Sequence, residues 1–410
     1  MKRISKYVSY FLAFLLPFGS INPFNMSSVA DVDSRMSEQM GFTPILFAIC
    51  CLMALFDTSI YKHNRKIKKF LWPLGILFAA LASASAINSG GSYEFPLMYL
   101  LKLLAVEGGF YIMALYFMEY PKTLKISMLI YAYTCVAIMA AFYSGLLSRY
   151  SYISNGRLWI FGENPNTFSF LMSLGTIILA NKFNYKPTKS KFRIPVKILD
   201  IIAICSLLMY IVLSGSRGSF LIVILCMAIL LFNRKMIKKF YITIPIVVCA
   251  LAAGFYYYSA HQEEISIFKR LTRATEDERT ELQQWTFELF TEKPILGYGV
   301  NGYKGEMMKR HHEGRDSHNV AITTLAMSGI VGFTALMVYL FYLLKISWKN
   351  RAREMLAFVF FIDVVLMSMK TGGVLTFAMM WYSYAMVVAL ANPDMKSENR
   401  KGLKRRRVII

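Results

Sequence analysis

Long apolar runs alternate with short polar connections along almost the whole chain. Each run is long enough, or nearly so, to cross a hydrocarbon layer of about 30 Å as a helix that rises 1.5 Å per residue. The twelve predicted spans are 8–24, 43–60, 70–87, 95–118, 126–147, 166–181, 198–213, 219–232, 240–259, 318–344, 354–369 and 374–391. The pattern predicts an all-α polytopic membrane protein of about twelve transmembrane helices.

The composition supports this fold class. Apolar residues make up 56% of the 410 positions and charged residues only 17%, whereas a typical soluble domain carries about 25% charged residues. The composition therefore excludes a water-soluble enzyme.

The charge balance is a topology signal. The chain has 46 Lys and Arg against 24 Asp and Glu, a net charge of +22. With the N-terminus inside, about two thirds of the basic residues lie on the inner connections, and a cytoplasmic excess of Lys and Arg orients membrane helices. We therefore predict cytoplasmic N- and C-termini, and we attribute the positive charge to topology rather than to nucleic-acid binding.

The apolar stretch 198–232 is interrupted by the sequence Ser-Gly-Ser-Arg-Gly-Ser at 214–219. A single helix of this length would measure about 52 Å, which is too long for one span. Two short spans joined by a tight outer turn fit better. This choice places Arg217 at the hydrocarbon boundary on the outer side.

One predicted outer connection, 260–317, is much longer than the others and is expected to carry function. Residues 276–292 begin with acids and end before a Lys-Pro pair, which is typical of a helix. Leu282, Trp285 and Leu289 fall on one face of it. The segment therefore predicts an amphipathic helix that packs on the bundle or lies in the headgroup layer.

The end of this connection leads into the tenth span. A glycine-rich stretch follows the amphipathic helix, and Asp316 or Ser317 is a plausible N-cap that would put His318 and Asn319 in the first turn of the span. The positive end of that helix would then face the outer surface, where it favours an anion.

Three side chains on the predicted outer face have the chemistry of a site: Arg217, Arg279 and His318. An arginine at the hydrocarbon boundary is costly, so Arg217 is expected to have a role. The alternative roles are a snorkelling anchor or a structural ion pair. Arg279 could pair with Glu276 or Gln283 on the helix surface. The default role of a lone histidine such as His318 is capping or packing.

A metal site is the sharper alternative for the histidines. His311, His312 and His318, with Glu313 or Asp316, offer ligands, but the spacing typical of a zinc-binding helix is not present. The prediction is that the protein uses no metal and no cofactor.

Four motifs in this order, all on the predicted outer side, resemble the O-antigen ligase and O-antigen polymerase family of bacterial membrane glycosyltransferases. The motifs are Gly162-Glu163-Asn164-Pro165-Asn166; Ser214-Gly215-Ser216-Arg217-Gly218; Arg279 with Trp285 and the Pro294-x-x-Gly-x-Gly turn; and Ser317-His318-Asn319 before Gly329-Ile330-Val331-Gly332. The resemblance covers residues 155–340.

The resemblance implies a reaction. Such proteins take a glycan from an undecaprenyl pyrophosphate carrier on the extracytoplasmic side of the bacterial cytoplasmic (inner) membrane. They join it to a hydroxyl acceptor, either on lipid A core or on a second carrier-linked glycan, without a nucleotide sugar or a metal. The partners are then these two substrates and membrane lipid.

The resemblance also assigns roles. Arg217 and Arg279 would hold the diphosphate leaving group, and His318 would act as the base for the acceptor hydroxyl; such base assistance predicts inversion at the anomeric carbon. The residues expected to bind substrate are Asn164, Asn166, Asn319, Arg273 and Arg315. For the first two, capping of the sixth span is the alternative.

The chain divides into N-terminal helices (1–150), a ligase-like core (151–345) that includes the long loop 260–317, C-terminal helices (346–391) and a basic cytoplasmic tail (392–410). The sequence does not separate a ligase from a polymerase. A twelve-helix secondary transporter, or an envelope protein that binds a partner through the outer loop, are the competing functions.

The sequence also leaves four ionisable residues in or at the end of spans without a role. They are Lys102, Glu107, Asp363 and Lys370.

Overall fold

A computed structural model describes residues 2–18, 43–88, 94–154, 156–184, 193–231, 278–314, 316–372 and 374–392. The helices are α1 (Lys2–Leu15), α2 (Thr43–Phe56), α3 (Asn64–Ile87), α4 (Glu94–Glu119), α5 (Pro121–Tyr143), α6 (Pro165–Asn184), α7 (Arg193–Leu213), α8 (Arg217–Leu231), α9 (Glu278–Glu292), α10 (Gly299–His311), α11 (Val320–Asn350), α12 (Met355–Ser368) and α13 (Ala378–Leu390). Short 3-10 turns lie at Leu16–Phe18, Thr58–His63, Ser148–Tyr150 and Val374–Thr376.

The described parts of the predicted spans are helical over most of their length, although the helix of the fifth span, 126–147, ends at Tyr143. Among the described residues, five helical segments are long and apolar enough to cross a membrane: Thr58–Ile87, Pro96–Glu119, Pro121–Tyr143, Val196–Leu213 and Val320–Asn350. Four shorter apolar helices accompany them. The predicted span 240–259 lies outside the described residues. The protein is thus a helical, multi-pass membrane protein, and the number of twelve spans stays a prediction.

Several helices extend beyond the apolar runs that predicted them. The first begins at Lys2 rather than at residue 8, and α11 continues to Asn350 rather than ending at 344. The reason is physical: hydropathy marks the part of a helix that lies in hydrocarbon, whereas the backbone hydrogen bonds continue into the polar layer outside it.

A small β-hairpin is the exception to the all-α prediction within the described residues. Strands β1 (Ser151–Ser154) and β2 (Arg157–Ile160) pair antiparallel. The rings of Tyr152 and Trp159 stack across the pair with centroids 5.8 Å apart. The hairpin joins α5 to α6 and carries Arg157.

Aromatic side chains fill the centre of the bundle. Phe110 of α4, Tyr339 of α11 and Trp381 of α13 are fully buried. Their rings meet with centroids 5.7 to 6.2 Å apart, within the range of favourable aromatic pairs. This packing joins the N-terminal helices, α11 and the C-terminal helices in one core.

Helix α11 is broken at Gly329, and the glycine-rich turn after α9 docks into the break. Gly329 has a φ of 61°, which favours glycine. The Ile330 amide donates to the Pro294 carbonyl at 2.8 Å, and the Tyr298 amide donates to the Ala326 carbonyl at 2.8 Å. The backbone groups at the break are thereby paired with the turn.

Two glycines make this close approach possible. A Cβ atom on Gly329 would collide with the backbone of Ile295, and one on Gly297 would lie 2.7 Å from the Gly329 amide nitrogen. The two glycine motifs of the sequence are therefore the two halves of one contact, which fixes the turn after α9 to α11.

The predicted amphipathic helix is confirmed as α9. Leu282 and Leu289 are buried, and the Thr286 hydroxyl lies 3.1 Å from that of Tyr303. The helix packs on the bundle rather than presenting its apolar face to the headgroup layer alone.

Sequence reasoning missed the next helix, α10, because glycines dominate its beginning. It is held to α9 by Arg310, which donates to Glu292 at 2.9 Å; within α10, Arg310 also donates to Glu306 at 2.8 Å. The Arg310 guanidinium and the Tyr298 hydroxyl lower the pKa of the Glu292 carboxyl to about 2. The described part of the long connection thus contains two helices that are joined by side-chain hydrogen bonds.

Candidate functional site

The predicted tight turn between the seventh and eighth spans is present. Helix α7 ends at Leu213 and α8 begins at Arg217, with Gly215 in the left-handed region at a φ of 63°. Ser214, Ser216 and Ser219 are buried. The turn therefore presents a set of buried hydroxyls beside Arg217.

The hairpin and the start of α6 are hydrogen-bonded to this turn. Arg157 donates to the Ser214 carbonyl at 2.8 Å and to the Asn166 side-chain oxygen at 2.9 Å. The same oxygen accepts a hydrogen bond from the Ser216 hydroxyl at 2.9 Å. Asn166 is thus the junction between the hairpin and the turn.

Asn164 and Asn166 have different places. The Asn164 side chain accepts from the Asn166 amide at 2.9 Å, just before α6 begins at Pro165. This is the capping arrangement that the sequence offered as the alternative to sugar binding. The Asn166 side chain instead joins the network at the turn.

Lys370 reaches the same turn from the end of α12. Its ammonium group donates to the hydroxyls of Ser216 at 2.8 Å and Ser219 at 2.5 Å. A Cβ atom on Gly218 would lie 2.7 Å from Lys370 Cδ. The lysine side chain therefore lies directly against the backbone of the turn.

Two arginines lie close enough to Lys370 for their charges to act on it. Burial lowers the pKa of Lys370 to about 7, helped by the positive charges of Arg279 and Arg157 and opposed by Asp363. Arg279 lies in the first turn of α9. Helix α9 thus places Arg279 near Lys370. Lys370 contacts the turn at residues 214–219, which we call the serine turn.

His318 lies just before α11 rather than within its first turn. The predicted N-cap at Asp316 or Ser317 is wrong: Asn319 is the N-cap, and its side chain accepts from the amides of Ala321 and Ile322 at 3.0 and 3.4 Å. The Asp316 carboxylate accepts from the His318 amide at 2.9 Å, which turns the chain sharply before the helix. Asn319, predicted to bind substrate, therefore has a capping role.

The His318 ring lies beside a carboxylate and a glycine. Its Nδ1 is 3.8 Å from Asp316 Oδ1, and the two side chains are 19% and 22% exposed. A Cβ atom on Gly372 would lie 2.9 Å from Nδ1 of His318 and 2.5 Å from Oδ1 of Asp316. Gly372 thus permits the close approach of His318 to the segment after α12.

One short segment therefore touches both parts of the predicted site. Lys370 contacts the turn that carries Arg217 and lies near Arg279, and Gly372, two residues on, contacts His318. Arg217 itself stands between Ser216 and Gly218. Arg273 and Arg315, the other predicted substrate ligands, lie outside the described residues.

Part of this arrangement lies in a segment that matches a known sequence family. Residues 201–337 match the family model of the O-antigen ligases. The resemblance that the motifs indicated is thereby confirmed for this part of the chain. Searches of curated proteins and of solved structures returned no match.

The O-antigen ligase match contains Arg217, Arg279 and His318. Arg157 and Lys370 lie outside it, on either side in the sequence. The site therefore combines a family-matched segment with side chains that the fold supplies from the preceding hairpin and the following turn.

The three-histidine metal site is not assembled in the part of the chain that the structure describes. There, no group of three or more His, Cys, Asp or Glu side chains could hold a metal ion. The His311 ring instead stacks on Trp285, with centroids 4.1 Å apart.

Sequence reasoning missed Arg157, Gly372 and the part that Lys370 takes in the site. Arg157 lies in a four-residue strand with no recognisable motif, so only its contacts identify it. Lys370 did have a signal, because a lysine at the end of an apolar span is costly. Gly372 had none, since its importance comes from a contact with a distant part of the chain.

The chemistry available at this site follows from its groups. Arginine and lysine side chains at the serine turn suit a ligand with two or more negative charges. An imidazole beside a carboxylate can accept a proton near neutral pH. The site can thus bind a charged leaving group and, at an adjacent position, accept the proton of a hydroxyl.

Proposed function

We propose that this protein is a membrane glycosyltransferase of the O-antigen ligase or polymerase type, which moves a glycan from an undecaprenyl pyrophosphate carrier to a hydroxyl acceptor. The acceptor would be lipid A core or a second carrier-linked glycan, and the site would face the extracytoplasmic side of the inner membrane. The observation that carries the proposal is the contact of the Lys370–Gly372 segment with both the serine turn and His318, in a chain whose residues 201–337 match the O-antigen ligases.

Arg217 and Arg279 would bind the diphosphate of the donor. This group carries negative charge in the donor and gains more as the glycosidic bond breaks. Guanidinium groups stay charged and bind phosphate oxygens in a forked geometry. Their attraction would therefore strengthen in the transition state, as electrostatic catalysis requires.

His318 would accept the proton of the acceptor hydroxyl. The carboxylate of Asp316 beside Nδ1 favours the tautomer with its proton on Nδ1, which leaves the Nε2 lone pair for the hydroxyl. Asp316 would act as a positioning residue through the imidazole.

The proposed reaction balances without a metal or a cofactor. The acceptor oxygen forms a bond to the anomeric carbon, the bond from that carbon to the phosphate oxygen breaks, and the polyprenyl diphosphate leaves with the electron pair. The acceptor proton passes to His318. Attack opposite the leaving group inverts the anomeric centre, and the carrier bond supplies the driving force.

The O-antigen ligase match supports an enzyme over the transporter and over a partner-binding envelope protein. No contact in the described residues favours either of those functions specifically.

The test is transfer by the purified protein in liposomes that contain an undecaprenyl pyrophosphate-linked glycan and a hydroxyl acceptor. We expect transfer by the wild type, also in EDTA, and its loss in Arg217→Ala, Arg279→Ala and His318→Ala. The matched control is Arg149→Ala, an exposed arginine beside the hairpin, which should stay active. Full activity of the His318 variant would remove it as the base, and a requirement for Mg²⁺ or Zn²⁺ would contradict the metal-free mechanism.

A further inference from the structure

Lys370 is held in a way that suggests a ligand-binding role. Its two hydrogen-bond partners, Ser216 and Ser219, are neutral hydroxyls. The nearby carboxylate of Asp363 accepts a hydrogen bond from the Ser173 hydroxyl at 2.6 Å. The two serines thus fix the position of the ammonium group but do not neutralise its charge.

The serine turn is shaped around this lysine. Ser216 and Ser219 are 4% and 0% exposed, and the gap between them is open to Lys370 because Gly218 has no side chain. A Cβ atom there would lie 2.7 Å from Lys370 Cδ and 3.5 Å from its Cε. Ser216, Gly218 and Ser219 therefore form a cradle for Lys370, which follows the end of α12.

Positive charges accumulate at this cradle. Arg279 from α9 and Arg157 from the hairpin both act on Lys370, and Arg217 is part of the turn itself. Cations brought this close repel one another. A ligand with several negative charges would relieve this repulsion, because it would be attracted by each of these cations.

We infer that Lys370 is a ligand of the donor diphosphate, positioned by Ser216 and Ser219 and acting together with Arg217 and Arg279. This inference rests on the proposed function. It assigns the Ser-x-Gly-Ser part of the turn to the placement of a lysine that lies outside the family-matched segment.

The experiment measures binding of farnesyl diphosphate, a short prenyl diphosphate, to the full-length protein in detergent, with farnesol as the uncharged comparison. We expect Lys370→Met to weaken binding of the diphosphate by about 10- to 100-fold, the usual effect of losing a hydrogen bond to a charged group. Binding of farnesol should not change. Lys370→Arg, which keeps the charge, should restore a large part of the affinity.

A second variant tests the cradle without removing the charge. Gly218→Ala should weaken diphosphate binding because its Cβ displaces Lys370, although alanine favours the helix itself. The control is Gly75→Ala in α3, where a Cβ would meet no atom within 4 Å, and it should bind as the wild type does. If Lys370→Met does not fold, Gly218→Ala decides the question.

The outcomes separate the inference from the proposed function. If Arg279→Ala loses the diphosphate while Lys370→Met and Gly218→Ala retain wild-type affinity, the role of Lys370 is refuted and the proposed function stands. If the wild type shows no preference for farnesyl diphosphate over farnesol, both are refuted.

Discussion

His318 and Gly372 illustrate how the site depends on single atoms. The histidine and Asp316 lie against Gly372, where a Cβ would come within 2.9 Å of either side chain. The imidazole and the carboxylate can keep their places only because this residue is glycine. Its role is therefore to position groups rather than to contact a substrate.

The first prediction at the residue scale concerns Gly372→Ala. The added methyl group should displace His318 or Asp316, so kcat for glycan transfer should fall by about tenfold or more, as part of the roughly 10²- to 10⁴-fold contribution of a general base is lost. Binding of farnesyl diphosphate should be unchanged, because the serine turn is not altered. A loss of diphosphate affinity equal to the loss in kcat would show that the variant disturbs the whole site.

The second prediction at this scale concerns the pH dependence of diphosphate binding. The pKa of Lys370 is lowered to about 7, so the side chain is mainly neutral above this pH and charged below it. A bound anion favours the charged form, so binding takes up a proton, and affinity should fall as pH rises from about 7.

Lys370→Arg isolates this effect from the titration of the ligand. Arginine stays charged throughout, so the variant should lose the part of the pH dependence that Lys370 causes. Farnesyl diphosphate affinity measured between pH 6 and 9 checks this. Parallel pH profiles of the wild type and the variant would contradict a titrating Lys370.

At the scale of elements, the broken helix α11 and the turn after α9 form one unit. The amides on either side of Gly329 are paired with the turn that contains Pro294 and Gly297. This contact fixes where α9 and α10 lie on the bundle. The position of Arg279 therefore depends on a backbone contact far from it in sequence.

The prediction at this scale is that Gly329→Ala separates the turn from α11. Alanine in this glycine-only backbone conformation costs about 1 to 3 kcal/mol, and its Cβ would in addition collide with the Ile295 backbone. We expect a lower melting temperature and loss of transfer. The control Gly305→Ala in α10, where a Cβ has open space, should leave both unchanged; an equally stable Gly329→Ala protein would refute the contact.

Elements with a strong periodic signal could be predicted, and those made by long-range contacts could not. The apolar runs and the faces of α9 follow from the residues themselves. The hairpin, α10 and the break in α11 depend on partners elsewhere in the chain, such as Ser214 for Arg157. For the same reason the motifs indicated Arg217, Arg279 and His318, whereas only the fold showed that Lys370 and Gly372 lie beside them.

At the scale of the whole molecule, the charge pattern makes a prediction about the membrane sides. Helix α11 has 31 residues with a break at Gly329, and its apolar length is sufficient to cross a membrane, so we expect its ends on opposite sides of the bilayer. His312 and Lys349, near its two ends, are both exposed. A cysteine at His312 should react with an impermeant maleimide added to whole cells, and a cysteine at Lys349 should not. The reverse result would overturn the orientation.

The most direct measurement of the central claim is an electron cryomicroscopy structure of the protein in lipid nanodiscs with an undecaprenyl pyrophosphate-linked glycan bound. We expect diphosphate density against the serine turn, in contact with Arg217, Arg279 and Lys370, with the first sugar next to His318. Diphosphate density at the opposite end of the bundle, or more than one side-chain length from these residues, would contradict it.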